Sequence, residues 1–490
     1  MEKWVSILNR KESIYTIESL KKLFNYSSDI MIKSIPVKHV PHGQITIVFC
    51  KSIADTKMVQ SLVLPYLSEQ RLKDDDALYN FIQSDYCFKK DMDEKKITEE
   101  VFEGKLIVIS SFREKVYIYD VRNPPSRQPE ESVVEVSITG PKDGFTEDLS
   151  TNIGLIRKRL KSTSFVTEEF TIGTRSNTKV SLIYLKDVMN QEILNQVRSK
   201  LGSIDVDILQ SRDELADLII DQKSSLMPLT NFTGRPDFVA ESLTQGRFSI
   251  VMDGAPTVII APINLTFLMK TAEDSNVSFY YSSVERLIRI MGLFVSIFLP
   301  GFYTALVTHN VGQLPLPLIA TITISKMGLP FSTLLEMITM FIMFELFKEA
   351  GARLPKGIGQ TVAVIGGLII GDAAIRAGIT SPTLLIVVGI TAVAGFTLVN
   401  VSLSGNVFFL RMGVLLISYF FGIFGFILSI ISLLIHLSTL KSFGMPFLAI
   451  VKDQNWFEIL KSIIRFPISL YRKRNQTYEV TDDTRTGDEK

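Results

Sequence analysis

Residues 290–440 are almost empty of charge, so the few ionisable side chains left there are the ones whose chemistry needs a reason. They are Glu336, Glu345, Glu349 and Asp372 against Lys326, Lys348, Arg353, Lys356, Arg376 and Arg411. Glu345, Lys348, Glu349 and Arg353 are spaced three and four apart, which lines them on one helix face and lets them pair along it. Glu336 stands nine residues before Glu345, about 13 Å further along a helix axis at ~1.5 Å per residue. A carboxylate that deep in an apolar segment must face a bundle interior or a water-filled cavity. It reads either as an acid bordering an ion pathway or as a buried structural partner. Asp372 and Arg376 can pair on one face, which lowers the insertion cost, and a pathway role fits the same spacing. The candidate intramembrane polar or ion-pathway residues are therefore Glu336, Glu345, Glu349, Arg353, Asp372 and Arg376.

Catalytic constellations do not emerge. Four histidines (His39, His42, His309, His436) and two cysteines (Cys50, Cys87) offer no zinc spacing and no disulfide framework. The turn Gly140-Pro-Lys-Asp-Gly144 lacks the spacing of a phosphate loop. There is no nucleophile elbow and no Gly-rich fingerprint after a strand. The chain is expected to be no enzyme, with no catalytic residue, no cofactor and no metal. A net charge of +1 and the lack of a basic, aromatic-rich tract argue against nucleic acid as a partner.

The elements that must hold these residues fall into two classes. Residues 412–440 carry no charge at all and exceed the roughly 20 residues that cross a bilayer core. Apolar pieces at 290–307, 316–327, 329–347, 358–377, 382–401 and 412–437 predict an all-α polytopic membrane domain with membrane lipid around it. Four to six of these cross; 316–327 is too short and reads as a re-entrant or interfacial segment. Pro300-Gly301 is placed to kink the first span. Arg286 and Arg289 before the first span, and Lys441, Lys461, Arg465 and Arg472–Arg474 after the last, put both ends on the cytoplasmic side.

The residues before 290 read as a soluble α/β region of two tandem subdomains. The N-terminus is amphipathic and charged, unlike a signal peptide. Residues 1–35 read as a helical lead ending near Pro36. A first subdomain, 36–130, holds a buried strand at 45–50, helices at 56–64 and 74–84, and a hairpin of 105–110 with 115–120. Pro124, Pro125 and Pro129 mark the boundary. A second subdomain, 131–262, opens with a strand at 132–138 and a helix capped by Thr146. Strands near 166–172 and 179–185, helices near 189–201 and 211–220, and a helix at 235–246 follow. Asp253-Gly254 is read as a tight hairpin turn. Residues 263–289 are a linker whose aromatic part, 264–286, reads as an interfacial helix. Residues 290–440 are the membrane domain and 441–490 a cytoplasmic tail.

Four successive segments carry a resemblance. GPKDGFTEDLSTNIGLIRKRL, RPDFVAESLTQGRFSIVMDGAPTVIIAP, FELFKEAGARLPKGIGQTVAVIGGLIIGDAAIRAGITSP and HLSTLKSFGMPFLA resemble, in order, signatures of the GerA family, the A subunits of bacterial spore germinant receptors. The likeness spans roughly residues 35–450. It implies a cytoplasmic N-terminal domain of two α/β subdomains and a membrane domain in the inner membrane of a spore. It also implies a transporter-like B subunit and a lipoprotein C subunit as partners, with nutrient bound on the B subunit. Homo-oligomerisation into a ring forming a nutrient-gated cation channel is implied too. Relatives often carry Gln at the position of Asp372 and an acid at that of Arg376, which denies those two sites a uniform role. A secondary transporter or a scaffold subunit for small-molecule or ion movement is the competing reading. An inverted repeat would support the transporter, and 290–347 shows none against 358–437.

Overall fold

In a computed structural model, the residues described are 17–36, 44–63, 87–89, 94–110, 115–123, 135–223 without 136 and 138, 225–353, 371–448, 456–471, 473–474, 480–482 and 484. They belong to two compact units. One comprises Met1–Lys223, Thr230–Pro262 and Tyr471–Lys490; the other comprises Ser224–Leu229 and Ile263–Leu470.

The front unit holds two five-stranded antiparallel sheets. In the first, β1 (Ile30–Pro36), β2 (Gln44–Cys50), β3 (Cys87–Lys89), β4 (Lys105–Ser110) and β5 (Lys115–Asp120) lie in the order β1-β2-β4-β5-β3. The run ITIVFC makes β2 a central strand because both of its faces are apolar. Val48 and Cys50 enter one core cluster, while Ile45, Ile47 and Phe49 enter the other. Helices α1 (Ile17–Leu23) and α2 (Glu94–Phe102) cover the first of these faces through Leu20, Ile97, Val101 and Phe102. The helical lead thus ends at Leu23, and the stretch before Pro36 is a strand whose isoleucines pair with β2. Residues 74–84 and the turn at 111–114 lie outside the described residues.

In the second sheet, β6 (Phe165–Ile172), β7 (Thr178–Leu185), β8 (Asn231–Thr233), β9 (Phe248–Met252) and β10 (Val258–Ala261) lie in the order β6-β7-β9-β10-β8. Helices α3 (Leu149–Arg157), α4 (Gln191–Gly202), α5 (Arg212–Ile219) and α6 (Pro236–Thr244) accompany it. Side chains cap three of them: Asp148 accepts from Thr151 N at 2.6 Å, Asn190 from Glu192 N at 2.8 Å and Ser211 from Glu214 N at 3.1 Å.

Two local expectations are corrected here. Thr146 does not cap α3; its hydroxyl bonds Asn152 Oδ1 instead, and Asp148 takes the cap. Asp253-Gly254 is not a two-residue turn, because Val258 pairs with Val251 and leaves a longer loop between β9 and β10. That loop serves α3, with Asp253 Oδ1 accepting from Leu149 N at 3.2 Å. Most of the strand expected at 132–138 lies outside the described residues, and Glu135 and Ser137 are not in a strand.

A polar seal joins the two sheets. Asp29, in the turn between α1 and β1, accepts from Arg157 Nη2 at 2.7 Å, with Arg157 wholly buried. The guanidinium also lies 4.6 Å from the Phe102 ring and 4.1 Å from the Phe165 ring. Ser28 N donates to Thr167 O at 3.0 Å, so the same turn occupies part of the free edge of β6. Burial by itself would raise the Asp29 carboxyl; the charge of Arg157 and the hydrogen bonds of Ser27, Arg157 and Thr167 outweigh it and hold the group below its usual range.

The helical unit contains α7 (Phe279–Thr308), α8 (Leu316–Lys326), α9 (Thr333–Arg353), α10 (Pro382–Phe396), α11 (Val401–Thr439) and α12 (Trp456–Ile463), plus a small hairpin of β11 (Lys441–Ser442) and β12 (Met445–Pro446). Among the described residues, α7 and α11 are long and apolar enough to cross a membrane, and α8 and α10 are shorter apolar helices. Residues 264–286 are not one interfacial helix: a short turn at Leu265–Leu268 and another at Ala272–Ser275 precede α7. There Asp274 bonds Arg286 at 2.7 Å and Arg289 at 2.8 Å, and Arg289 also meets Glu285 at 3.1 Å. Both arginines are buried, tied to acids rather than free at the entry to the span.

Helix α11 is two legs. Gly422 breaks it with φ 60 and ψ −143, a region open to glycine. The first leg runs parallel to α7, since Arg411 meets Ser296 and Tyr419 meets His309. Beyond Gly422 the chain turns back, and Phe426 reaches Phe302 at 5.3 Å and Phe298 at 6.1 Å between ring centres.

Candidate functional site

Helix α10 starts beside Tyr303, near the C-terminal end of α7, and the polar residues there gather around Glu336. Ser381 is the α10 cap, and its backbone N donates to Glu336 Oε2 at 3.1 Å. Glu336 is 1% exposed, so its charge rests on the positive end of α10 rather than on water. Next to it, Thr383 shares hydrogen bonds of 3.2 Å with both Tyr303 and Ser325. Lys326, half-buried at the end of α8, donates to Thr333 and lies within electrostatic range of Glu336. Thr380 is buried with its hydroxyl unpartnered among the described residues.

The other expected residues pair along their own helices. Lys348 meets Glu345 at 3.1 Å, Arg353 meets Glu349 at 2.6 Å and Arg376 meets Asp372 at 2.9 Å, all with substantial exposure. The structure therefore assembles three local pairs and one buried acid, and within a single chain these do not meet in one site. Among the described residues, no group of three His, Cys, Asp or Glu side chains could hold a metal ion.

Two further features escaped the sequence reading. Pro300 has no N–H, so the carbonyl of Ser296, four residues earlier, has no helical donor. Arg411 Nε fills that vacancy at 2.8 Å, and its guanidinium lies 4.9 Å from the Phe341 ring of α9. One side chain thus links α7 just before Pro300, α11 and α9. The second feature is the plug at the break. His309 Nε2 donates to Tyr419 O at 2.6 Å and Asn310 Oδ1 accepts from Ile423 N at 3.1 Å, satisfying backbone groups that the break exposes. A lone Arg in a long apolar run, and a His-Asn pair closing a span, were the available signals.

An α/β front unit followed by a helical unit with two helices of spanning length and apolarity describes a membrane-associated protein. The comparisons make this specific: residues 18–477 match the profile described as Bacillus/Clostridium GerA spore germination protein, and the chain belongs to the GerA family. It is 41% identical over 446 residues to spore germination protein XA of Bacillus anthracis, covering 90% of this chain and 91% of that one. It is 30% identical to spore germination protein B1 of Bacillus subtilis, covering 96% and 98% respectively. Among solved structures, the N-terminal domain of the A subunit of the Bacillus megaterium spore germinant receptor GerK3 matches at 26% identity and a TM-score of 0.37. That match covers 50% of this chain and 93% of the other.

Proposed function

We propose that this chain is the A subunit of a nutrient germinant receptor in the inner membrane of a bacterial spore. In this role it oligomerises into a nutrient-gated cation channel and works with a transporter-like B subunit and a lipoprotein C subunit. The observation that carries the reading is the family match, which runs through both the front and the helical units. The front subdomains, near 36–130 and 131–262, serve assembly or signal relay, and 290–440 forms the membrane domain.

Both chain ends lie on the cytoplasmic side on this reading, with an even number of crossings. The return of α11 at Gly422, and the grouping of Tyr471–Lys490 with the front unit, support it. Glu345, Glu349 and Asp372 sit on exposed helix faces, where copies arranged in a ring would bring acids together and favour cations. Glu336 ties α9 to the start of α10, while Arg353 and Arg376 pair with Glu349 and Asp372 along their own helices.

The test has two arms. Spores lacking their own A subunit should regain a nutrient response when they carry this chain. The chain reconstituted with its partners in planar bilayers should give cation-selective single-channel steps on nutrient addition. Restored germination without conductance would end the channel mechanism and keep the receptor role.

A further inference from the structure

Arg411 is the only Asp, Glu, Lys or Arg in α11, it is 9% exposed, and it has no ion pair among the described residues. A cation left without an acid in an apolar bundle is costly, so its surroundings bear on what it does. At present the guanidinium is held by the Ser296 carbonyl and the face of Phe341. Four residues further along α9, hence one turn away on the same face, stands Glu345. Glu336 lies level with Ser381 and Phe341 level with Arg411, so α9 runs opposite to the first leg of α11. Glu345 therefore lies toward the N-terminal end of that leg, the direction in which helical side chains lean. Its carboxylate is held off by Lys348 at 3.1 Å.

We propose that Arg411 is a two-position latch. In the resting position it stacks on Phe341, and in the second, α9 slides by one turn, about 5.4 Å, so that Glu345 replaces Phe341 and pairs with Arg411. The slide exchanges discrete contacts. It gives up the Glu345–Lys348 pair and the hold of Glu336 on Ser381 N, and it gains an ion pair for a cation that has none. The arrangement couples the start of α10, the Ser296–Pro300 turn of α7 and Glu345 of α9 in one movement. The latch rests on the receptor reading only for its link to germination, since the geometry stands on the helices alone.

Two measurements test it. In the full chain purified in detergent, with Cys50 and Cys87 replaced by Ser, spin labels at Leu346→Cys and at the exposed Phe420→Cys report the position of α9 against α11. The two sites are well separated along the helix axes, so a slide shortens the distance between them. Lys348→Met frees Glu345 and should populate the second position, while Glu345→Gln abolishes it. The inter-label distances of the two variants should differ by about 5 Å. Identical distance distributions overturn the latch, whatever the chain does in a spore. In complemented spores, Glu345→Gln should raise the half-maximal nutrient concentration roughly tenfold and Lys348→Met should lower it several-fold, within the usual span of coupling between sites. The double variant should behave like Glu345→Gln alone. Sensitisation by Lys348→Met that persists in the double variant overturns the latch. If the unaltered chain restores no response, the receptor reading fails and the distance measurement still decides the latch.

Discussion

Arg157→Met tests the seal between the two front sheets. Methionine keeps the length and the apolar stem of arginine but leaves Asp29 buried at 4% exposure without its cation. Removing one partner of a buried ion pair costs about 3–5 kcal/mol, and lost stacking on Phe102 and Phe165 adds on the order of 1 kcal/mol. Domains are stable by only about 5–15 kcal/mol, so the denaturant midpoint of a front unit beginning before Ile17 should fall steeply. The pH dependence separates this reasoning from a simple packing defect. In the unaltered protein the Asp29 carboxyl sits below its ordinary value of 3.8, so its stabilising contribution is present above that pH and is lost as pH falls through the folded value. In the variant burial, the largest influence, is opposed only by the hydrogen bonds of Ser27 and Thr167, so the carboxyl moves up and the penalty present at neutral pH is relieved as acid protonates it. The gap between variant and parent should therefore narrow as pH falls through the variant's raised value toward 3.8, and adding Asp29→Asn should recover part of it at neutral pH. A loss under about 1 kcal/mol, or a gap independent of pH, would refute the assignment.

Other variants probe other elements. Cys50 is pushed up to about 12 by burial, with the Asp29 charge adding to it, so in a Cys87→Ser chain a thiol reagent at pH 8 should label only after denaturation. Pro300→Ala restores a donor to Ser296 O, so Arg411→Met should lower the melting temperature in detergent much less in that background than alone. Gly422→Ala should destabilise by roughly 1–3 kcal/mol through backbone strain. Its new Cβ would also sit 2.8 Å from Asn310 Oδ1, whereas Gly413→Ala, which meets nothing within 4 Å, should be near neutral.

What was legible in the sequence was local. The apolar run of β2, the helical periodicity of α4 and the charge depletion after residue 290 each follow from neighbours along the chain. What was missed depends on distant partners. β1 carries Lys33 and Ser34 among its isoleucines and becomes a strand because β2 supplies its hydrogen bonds. Thr146 and Asp148 are both good caps, and the choice between them is made by Asn152 and the loop holding Asp253. A front fragment cut near residue 35 would sever β1 and discard Asp29, whose partner Arg157 is 128 positions away. At the candidate site, Glu336 was visible as an acid in an apolar segment, but its position on the α10 terminus needed the backbone of Ser381. The break at Gly422 left no mark in a run that is apolar on both sides.

The knot of Asp274, Glu285, Arg286 and Arg289 at the start of α7 has two acids and two bases, so its net charge is zero. Burial and the pull of both arginines act on Asp274 in opposite senses, and the arginines win, keeping that carboxyl ionised well into acid. A neutral knot offers anionic headgroups no lasting attraction, unlike a juxtamembrane run of free lysines and arginines, each worth about 1 kcal/mol near such a surface. Seating of this end of α7 in lipid thus draws on apolar area, on the exposed Tyr280 and Tyr281, and on Arg465, which is bonded to the carbonyls of Val277 and Ser275 and supplies the charge that the knot lacks. Any dependence on ionic strength and acidic lipid should therefore disappear in Arg465→Gln.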